Sequence, residues 1–455
     1  MDSTDTIVAL ATARGRAALA IVRLSGPEAV RIVASRFSNA ALAEASSHTA
    51  HFGYVLDEEG TRLDQVVVTL FLAPKSATGE DIVEVTCHGG DLAPQLVLKS
   101  LLEAGARLAE PGEFTQRAFL NGKLDLTQAE AVADLIHAQS GLAHRVSLRH
   151  LDGRVAESVE AIRTSLIQTT ALIELELDFV EEDVEFADRP QLEQLLAEAE
   201  TRLTELLDSY RLGALVRDGV RVVIGGRPNA GKSTLLNALV ERDRAIVSEI
   251  PGTTRDEIEA EKEINGLLFR FVDTAGLRDT TNQIEAEGVR RTHRAIHHAD
   301  VLLYVFDTTV GLSTEEAQFL DELARDRPDF PVLRVANKAD LQPAEDNEAL
   351  ALSAKNAISD PQLLDALREA LSVAVASNLT SSEGSTIVVN QRHHQHLSAA
   401  REAVHRAQQA MQSNAGGETL ALDLRAAMHE LGAITGAITN EDVLDAIFSQ
   451  FCIGK

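Results

Sequence analysis

The chain has 455 residues, of which 45% are hydrophobic and 25% are charged, and its formal net charge is −28. A chain of this size has material for roughly two to four domains with ordinary cores. Its two cysteines make no disulfide framework, which favours a reducing compartment. No apolar stretch approaches the ~20 residues of a membrane span, so we expect a cytoplasmic protein with no membrane partner. The acidic charge means that any RNA contact must use a local basic patch or a patch on a partner.

The first part of the chain mixes strand-like runs with helical stretches, which predicts a small α+β domain over residues 1–120. The clearest predicted strands in it are 18–24, 66–71 and 82–86. Helical periodicity then predicts an all-α region over 121–217 and again over 378–455. Thr127 and Glu130 have the spacing of a capping box at the start of the first helical region.

The middle of the chain, residues 218–377, alternates short apolar runs with helical segments, which predicts a parallel sheet with crossover helices. The clearest predicted strands are 220–224, 303–306 and 332–335. Runs 262–264 and 267–272 are joined by Asn265-Gly266, a dipeptide that suits a two-residue hairpin turn. Because helical regions of similar texture flank this α/β block, we expect them to pack together, with the block inserted between them.

The strongest functional signal is Gly226-Arg-Pro-Asn-Ala-Gly231-Lys232-Ser233, which follows a predicted strand and opens a helix. Backbone N–H groups of such a loop can turn toward phosphate oxygens, and the helix N-terminus adds positive potential. Lys232 is expected to reach the β and γ phosphates, and Ser233 to bind Mg²⁺. The predicted nucleotide contacts of this loop are Asn229, Ala230, Gly231, Lys232, Ser233 and Thr234.

Two further segments are expected to respond to the γ phosphate. The carboxylate of Asp273 can hold Mg²⁺ through water, and the N–H of Gly276 can meet the γ phosphate, which makes Gly276 a candidate catalytic group. Residues 248–256 occupy the place of the first switch loop, where Thr254 is expected to complete the Mg²⁺ shell. The predicted nucleotide contacts of the two segments are Ser248, Glu249, Ile250, Pro251, Gly252, Thr253, Thr254, Asp273, Thr274, Ala275 and Gly276.

The identity of the base is predicted from the motif Asn337-Lys338-Ala339-Asp340. Its aspartate can accept hydrogen bonds from guanine N1–H and the N2 amino group, which adenine cannot supply. Ser353-Ala354-Lys355 is expected to contact the base from its far edge. The order of these motifs predicts a Ras-like P-loop GTPase domain. Leu277 stands where Ras-like proteins carry a water-orienting glutamine, so Glu285 is the candidate catalytic group for that role, with a solvated surface glutamate as the alternative.

With the C-terminal Phe451-Cys-Ile-Gly-Lys455, these motifs resemble the tRNA modification GTPase family MnmE, also called TrmE, essentially from end to end. Further similar stretches begin at Asp5, Thr78, Pro111 and Phe119. The resemblance implies that K⁺ takes the place of an arginine finger. The implied K⁺ ligands are Asn229, Ser248, Ile250 and Thr253. It also implies a homodimer whose nucleotide domains meet across their switch faces.

The resemblance also implies that the N-terminal domain binds a tetrahydrofolate derivative, the 5,10-methylene or 5-formyl form. The implied folate-binding residues are Arg23, Glu80, Lys123 and Lys455. A flavin-containing partner, MnmG (GidA), would form a heterotetramer or larger complex with this chain. That complex would place an aminomethyl or carboxymethylaminomethyl group on the tRNA wobble uridine. The competing class is a regulatory GTPase switch in ribosome assembly or stress signalling that modifies no base.

Cys452 is a candidate catalytic residue near the C-terminus of the chain. Its thiol could act as a nucleophile or a thiol donor. The alternative is a core position, because it stands in the apolar run Phe448-Ser-Gln-Phe-Cys-Ile453.

Overall fold

The computed structural model of the chain describes residues 5–178, 189–240, 260–273, 296–344, 346, 348–376, 386–413, 416–451 and 453–454. The chain divides into two compact units. The first unit contains Met1–Ile136, Leu148–Thr201 and His396–Lys455, and the second contains His137–Ser147 and Arg202–Gln395. No helix in the described ranges is long and apolar enough to cross a bilayer. The predicted domain boundaries at 120, 217 and 377 stay predictions.

Helices occur in both units. The first eight in chain order are α1 (Ala29–Ser35), α2 (Ala93–Glu103), α3 (Glu113–Leu120), α4 (Leu126–His137), α5 (Gly141–Leu151), α6 (Arg154–Asp178), α7 (Arg189–Asp218) and α8 (Lys232–Val240). The others in the described residues are α9 (Thr314–Asp326), α10 (Ala354–Ala357), α11 (Asp365–Ala376), α12 (Gln391–Gln412), α13 (Gly417–Thr435) and α14 (Glu441–Phe448). Short 3-10 helices span Ala40–Glu44 and Pro361–Leu364.

The N-terminal part of the first unit is a mixed sheet with α1 and α2 on one face. Its strands are β1 (Ile7–Leu10), β2 (Leu19–Ser25), β3 (Thr49–Leu56), β4 (Arg62–Phe71), β5 (Ile82–His88) and β6 (Arg107–Leu108), in the order β3-β4-β5-β2-β1-β6. Neighbouring strands are antiparallel except β1 and β6, which are parallel. Alternate residues such as Val66, Val68 and Leu70 are buried in one core with residues of α1 and α2. The predicted α+β domain and its three strands are confirmed.

The long helices of the first unit pack through apolar stripes, and α6 lies against α13. The buried apolar residues of α6 recur at helical spacing: Val155, Val159, Ile162, Leu166 and Ile173. Those of α13 do the same: Leu420, Leu424, Leu431 and Ile434. The two predicted helical regions therefore pack together through α6 and α13, because each of these helices has an apolar face to bury.

The start of α4 differs from the prediction. Asp125, and not Thr127, accepts a hydrogen bond from the backbone N–H of Gln128, at 3.0 Å, and Gln128 Oε1 accepts one from the backbone N–H of Asp125, at 3.0 Å. Thr127 is 2% exposed and lies inside the first turn. The predicted capping box of Thr127 and Glu130 is therefore wrong, because a second pair with the same spacing begins two residues earlier and caps the helix.

The second unit contains the predicted α/β block. Its strands are β7 (Val220–Gly225), β8 (Ala260–Ile264), β9 (Leu267–Asp273), β10 (Val301–Asp307), β11 (Val332–Asn337) and β12 (Leu350–Leu352), in the order β12-β11-β10-β7-β9-β8. All neighbours are parallel except β8 and β9, which form the predicted hairpin. Asn265 and Gly266 have φ angles of 51° and 85°, as a primed turn requires. The carboxyl ends of β7, β10 and β11 lie side by side, which is where parallel sheets bind ligands.

Candidate nucleotide-binding site

The loop between β7 and α8 contains two glycines that leave no room for a side chain. A Cβ on Gly226 would lie 2.0 Å from the carbonyl oxygen of Val305, and one on Gly231 would lie 2.1 Å from Asn337 Nδ2. The two glycines have φ angles of 132° and 95°, which side chains disfavour. The loop therefore packs closely on β10 and on the start of the base-recognition motif, and its sequence is fixed by that packing.

The tip of this loop is a type II turn formed by Arg227, Pro228, Asn229 and Ala230. The backbone N–H of Ala230 donates to the carbonyl oxygen of Arg227 at 3.3 Å. Pro228 occupies the second position, and Asn229 occupies the third with φ of 65°. Asn229 is exposed at this tip. Asn229, the predicted K⁺ ligand, therefore lies on a turn that is specified by Pro228 and by the hydrogen bond between Ala230 and Arg227.

Lys232 is the first residue of α8, and it is 6% exposed. Its Nζ donates to the carbonyl oxygens of Gly226 and Arg227, each at 2.8 Å. Ser233 and Thr234 follow in the first turn of α8, where Ser233 is exposed and Thr234 is half-buried. The lysine ammonium and the serine hydroxyl are therefore both at the helix N-terminus, as the motif predicts.

Asn337, at the end of β11, links the phosphate loop to the third predicted segment. Its side chain is buried, with Nδ2 donating to the carbonyl oxygen of Ala230 at 2.8 Å. Its Oδ1 accepts a hydrogen bond from the backbone N–H of Ala354 at 2.9 Å. The segments around 230, 337 and 354 are thus joined through one amide side chain.

The residues after Asn337 continue the base-recognition edge. Lys338 has φ of 65°, and its Nζ lies 2.5 Å from Asp307 Oδ2. Burial alone would raise the pKa of Asp307, but hydrogen bonds from Lys338 and Thr309 hold that pKa below its ordinary value. Asp340 is exposed, and the N–H of Ala339 donates to the carbonyl oxygen of Leu352 at 3.1 Å. The carboxylate of Asp340 is therefore accessible to a base.

Ser353 begins the short helix α10 and caps it, because its Oγ accepts from the N–H of Asn356 at 3.3 Å. Ser353 and Ala354 are buried, whereas Lys355 is exposed. Leu352 pairs with Asn337 in the sheet, so the motif that begins at Ser353 lies beside the motif that begins at Asn337. The structure thus brings together the predicted phosphate and base segments.

Part of the predicted site lies outside the described residues. These residues are Ser248, Glu249, Ile250, Pro251, Gly252, Thr253, Thr254, Thr274, Ala275, Gly276, Glu285, Cys452 and Lys455. The backbone of Asp273 ends β9 and pairs with Ile224 of β7. This position is next to the phosphate loop, as the prediction requires.

The predicted folate residues lie in the first unit, where Glu80 is held by two neighbours. Ser25 Oγ donates to Glu80 Oε2 at 2.7 Å, and Arg117 Nη1 lies 3.2 Å from the same oxygen. The loop that carries Glu80 is also tied to the segment before Lys123, because Asn121 Nδ2 donates to the carbonyl oxygen of Thr78 at 2.8 Å. Glu80 is therefore fixed in orientation by contacts that the sequence did not indicate.

Lys123 and Arg23 differ in how their charges are compensated. A Cβ on Gly79 would lie 3.4 Å from Lys123 Cε, so the exposed Lys123 side chain passes beside the loop that holds Glu80. Arg23 instead pairs with Glu84, with Nη2 2.6 Å from Oε1, and the two residues are opposite each other on β2 and β5. Glu84 was missed by sequence reasoning, although a cross-strand partner is visible once the register is known.

Arg117 is the centre of a buried ion-pair network that sequence reasoning also missed. Its Nη2 lies 2.5 Å from Asp5 Oδ1 and 3.0 Å from Glu113 Oε1, and its side chain is 9% exposed. Burial alone would raise the pKa of Glu113, but hydrogen bonds from Arg107, from the backbone N–H of Glu110 and from Arg117 hold it below its ordinary value. No local sequence motif predicts this network, because Asp5 and Arg117 are far apart in the chain.

Comparison with known families accounts for both units. Residues 6–123 match the family described as GTP-binding protein TrmE N-terminus, and residues 126–452 match the MnmE helical domain. The chain belongs to the MnmE family. The tRNA modification GTPase MnmE of Salinibacter ruber is 60% identical to it over 461 residues, covering 100% of each chain. MnmE of Cytophaga hutchinsonii is 45% identical and covers 99% of this chain and 98% of the relative.

Among solved structures, the chain is similar to the FeoB G-domain from Methanococcus jannaschii at 25% identity, with a TM-score of 0.24. That similarity covers 34% of this chain and 97% of the FeoB chain. The predicted resemblance to the MnmE family is confirmed, as is the fold class, a multi-domain α/β plus all-α protein with a P-loop GTPase domain.

Proposed function

We propose that this chain is a K⁺-activated GTP hydrolase of a complex that modifies the tRNA wobble uridine. Its membership of the MnmE family makes it a GTP hydrolase of tRNA modification. The structural observation that carries the nucleotide site is the Asn337 side chain. Its amide joins the phosphate loop at Ala230 to the base-recognition segment at Ala354, through hydrogen bonds of 2.8 and 2.9 Å.

The described residues fit a guanine nucleotide with Mg²⁺. A side chain at Gly226 or Gly231 would clash with neighbouring residues, so only glycine fits at these two positions of the loop. The ammonium group of Lys232 is held inside the loop by the carbonyl oxygen of Gly226. Ser233 and Thr254 would hold Mg²⁺, which when bound neutralises charge on the β and γ phosphates. Lys232 stabilises the same charge from the helix N-terminus, while the Asp340 carboxylate accepts the two guanine N–H groups.

The proposed K⁺ site begins at Asn229. Its side chain is exposed on a turn with positive φ, and Ser248, Ile250 and Thr253 would supply the other ligands. A monovalent cation beside the bridging phosphate oxygens supplies the charge that an arginine finger supplies elsewhere. Glu285 would orient the attacking water.

The K⁺ proposal is tested by measuring GTP turnover at equal ionic strength in KCl and NaCl. We expect hydrolysis in KCl to be faster by at least about tenfold, the order of effect that one well-placed charge gives. The Glu285→Ala variant should lose turnover while it still binds GDP. Equal rates in the two salts would refute the K⁺ site, and full turnover by the variant would refute the role of Glu285.

The N-terminal domain is proposed to bind the 5,10-methylene or 5-formyl form of tetrahydrofolate. Glu80, oriented by Ser25 and Arg117, can accept hydrogen bonds from a pterin. The exposed Lys123 would bind the glutamate tail, together with Arg23 and the predicted ligand Lys455. When bound, the folate supplies the one-carbon unit. Because Glu84 already compensates the charge of Arg23, Lys123 should contribute more to the attraction of the tail.

Calorimetry with 5-formyltetrahydrofolate tests this assignment. Lys123→Gln should weaken binding by about tenfold, the effect of one charge-assisted hydrogen bond. Lys99→Gln is the matched control, since Lys99 is an exposed lysine of α2 whose Nζ lies 3.6 Å from Glu103. Equal affinity in the two variants would contradict the role of Lys123.

The outer face of the N-terminal sheet supports the proposed homodimer. Phe52, Val67, Thr86 and Ile21 are aligned across β3, β4, β5 and β2 by strand register. Phe52 is 62% exposed and Val67 is 40% exposed, so the row presents apolar side chains on the face that α1 and α2 leave uncovered. A second copy of this chain is the proposed occupant, and light scattering that gave only the monomer mass at micromolar concentration would refute it.

The tRNA step is proposed to require the flavin-containing partner MnmG in a heterotetramer or larger cytoplasmic complex. Nucleoside mass spectrometry of total tRNA from a deletion strain tests this role. We expect 5-carboxymethylaminomethyl or aminomethyl wobble uridines to disappear and to return with the wild-type gene but not with Glu285→Ala. Unchanged wobble uridines in the deletion strain would favour a regulatory switch in ribosome assembly or stress signalling.

A further inference from the structure

A buried carboxylate lies behind the phosphate loop, at the start of α9. Glu316 is 9% exposed, and its Oε2 accepts a hydrogen bond from the backbone N–H of Ser313 at 2.8 Å. Ser313 Oγ in turn accepts from the N–H of Glu316 at 3.2 Å, which completes a capping box. The other carboxylate oxygen, Glu316 Oε1, accepts from the hydroxyl of the buried Tyr304 at 2.9 Å. Glu316 is therefore held rigidly by a helix start and by a strand of the sheet.

The same carboxylate also binds a residue of the phosphate loop. Arg227 Nη2 lies 2.9 Å from Glu316 Oε2. The carbonyl oxygen of Arg227 accepts hydrogen bonds from Lys232 Nζ at 2.8 Å and from the N–H of Ala230 at 3.3 Å. Arg227 is thus anchored by its side chain while its carbonyl closes the turn that carries Asn229.

The capping role alone does not account for the bond to Arg227. An exposed glutamate suffices for a capping box, but Glu316 is buried, and its two oxygens accept from three different segments. Burial and the hydrogen bond to Glu316 raise the pKa of Tyr304, which keeps its hydroxyl a donor. Tyr304 pairs with Gly225 in the sheet, so the network begins where the phosphate loop begins.

We propose that Glu316 is a positioning residue for GTP hydrolysis. By holding the guanidinium of Arg227, it fixes the turn that presents Asn229 and the carbonyl that orients Lys232. Glu316 acts only through Arg227. It makes the phosphate loop better ordered before the nucleotide binds. The further expectation that it tunes the response to K⁺ rests on the proposed function.

Hydrogen exchange of the nucleotide-free protein tests the proposal directly. In Glu316→Gln, the ion pair with Arg227 becomes a weaker hydrogen bond from the charged guanidinium to a neutral amide, so peptides covering 225–233 should exchange about fivefold faster. The matched control is Glu315→Gln, because Glu315 is the exposed neighbour in the same first turn of α9. Exchange as slow in Glu316→Gln as in this control would overturn the proposal.

A second variant distinguishes an effect that acts through Arg227 from a general destabilisation of the domain by Glu316→Gln. Arg227→Ala removes the other partner, whose side chain is 43% exposed, and it leaves the capping box intact. It should accelerate exchange in the same peptides, and the double variant should add little to either single change. Additive effects would show that Glu316 does not act through Arg227, and would also overturn the proposal.

Hydrolysis measured over a range of KCl concentrations gives the functional readout. Glu316→Gln should need several times more K⁺ for half-maximal rate, while its rate at saturating K⁺ stays within about twofold of the wild type. A lower saturating rate with an unchanged K⁺ requirement would contradict the link to Asn229. If the wild type itself ignores K⁺, the proposed cation site fails, and the exchange data still decide whether Glu316 orders the loop.

Discussion

The side chain of Asn337 offers the sharpest test of how the nucleotide site is held together. Replacing it with alanine removes the acceptor of the Ala354 N–H and the donor to the carbonyl oxygen of Ala230. Asn337 is 3% exposed, so water does not replace it without rearrangement. We therefore expect Asn337→Ala to disconnect the phosphate loop from the base-recognition segment.

The size of the effect follows from the two backbone groups that lose their partners. A buried donor or acceptor left without a partner costs about 1–3 kcal/mol, so the two together cost roughly 2–6 kcal/mol. The lower end applies if a water enters the space that the amide vacates. Part of this cost should appear as lost stability and part as weaker GDP binding, because the nucleotide must then order the segments.

Urea unfolding and calorimetric titration of GDP with Mg²⁺ measure the two parts. The matched control is Asn356→Ala, since Asn356 is exposed on the neighbouring helix α10. The control should change the free energy of unfolding by less than about 0.5 kcal/mol. If Asn337→Ala changed both stability and GDP affinity as little as the control, the reasoning from its hydrogen bonds would be refuted.

Two other predictions concern close packing and acid stability. Gly226→Ala would place a Cβ 2.0 Å from the carbonyl oxygen of Val305, so fluorescent GDP should bind at least about tenfold more weakly, and unchanged binding would contradict the packing argument. In the Arg117 network, hydrogen bonds from Arg107 and Arg117 hold the pKa values of Asp5 and Glu113 below their ordinary values despite burial. Their stabilisation is thus complete above those values and is lost as the pH falls through the lowered ones, so the melting temperature should drop there. Asp5→Asn should flatten that drop, and an identical pH profile would refute the assignment.

The parts of the fold that the sequence predicted correctly depend on neighbours in the chain. The apolar run of β7 followed directly by the phosphate loop could be recognised locally, as could the hairpin turn at Asn265 and Gly266. The start of α4 was misplaced because two pairs with capping-box spacing overlap there. Local patterns do not show which of the two, Asp125 with Gln128 or Thr127 with Glu130, meets the helix end.

The ion pairs around the sites could not be predicted from local patterns. Glu316 reads in sequence as an ordinary first-turn glutamate of a helix, and only the fold brings it to Arg227. Arg117 and Glu84 likewise read as surface charges, yet they hold Glu80 and Arg23 in place. Such pairs join residues that are distant in the chain, so they follow from strand register and packing and not from motif spacing.

The apolar core of the second unit limits how the chain can be cut. Residues from four separated stretches share one core with Ala230 of the phosphate loop: Ala143, Val146, Leu212, Leu215, Ile264, Leu267, Phe269, Ile387 and Val389. The N–H of Leu142 also donates to the carbonyl oxygen of Gly266 at 3.0 Å. A recombinant fragment of residues 218–377 would lack the core residues that pack in the same cluster as Ile264 and Phe269. Its exposed hydrophobic surface would then promote aggregation. Expression trials should therefore fuse 137–147 to a fragment that spans 202–395.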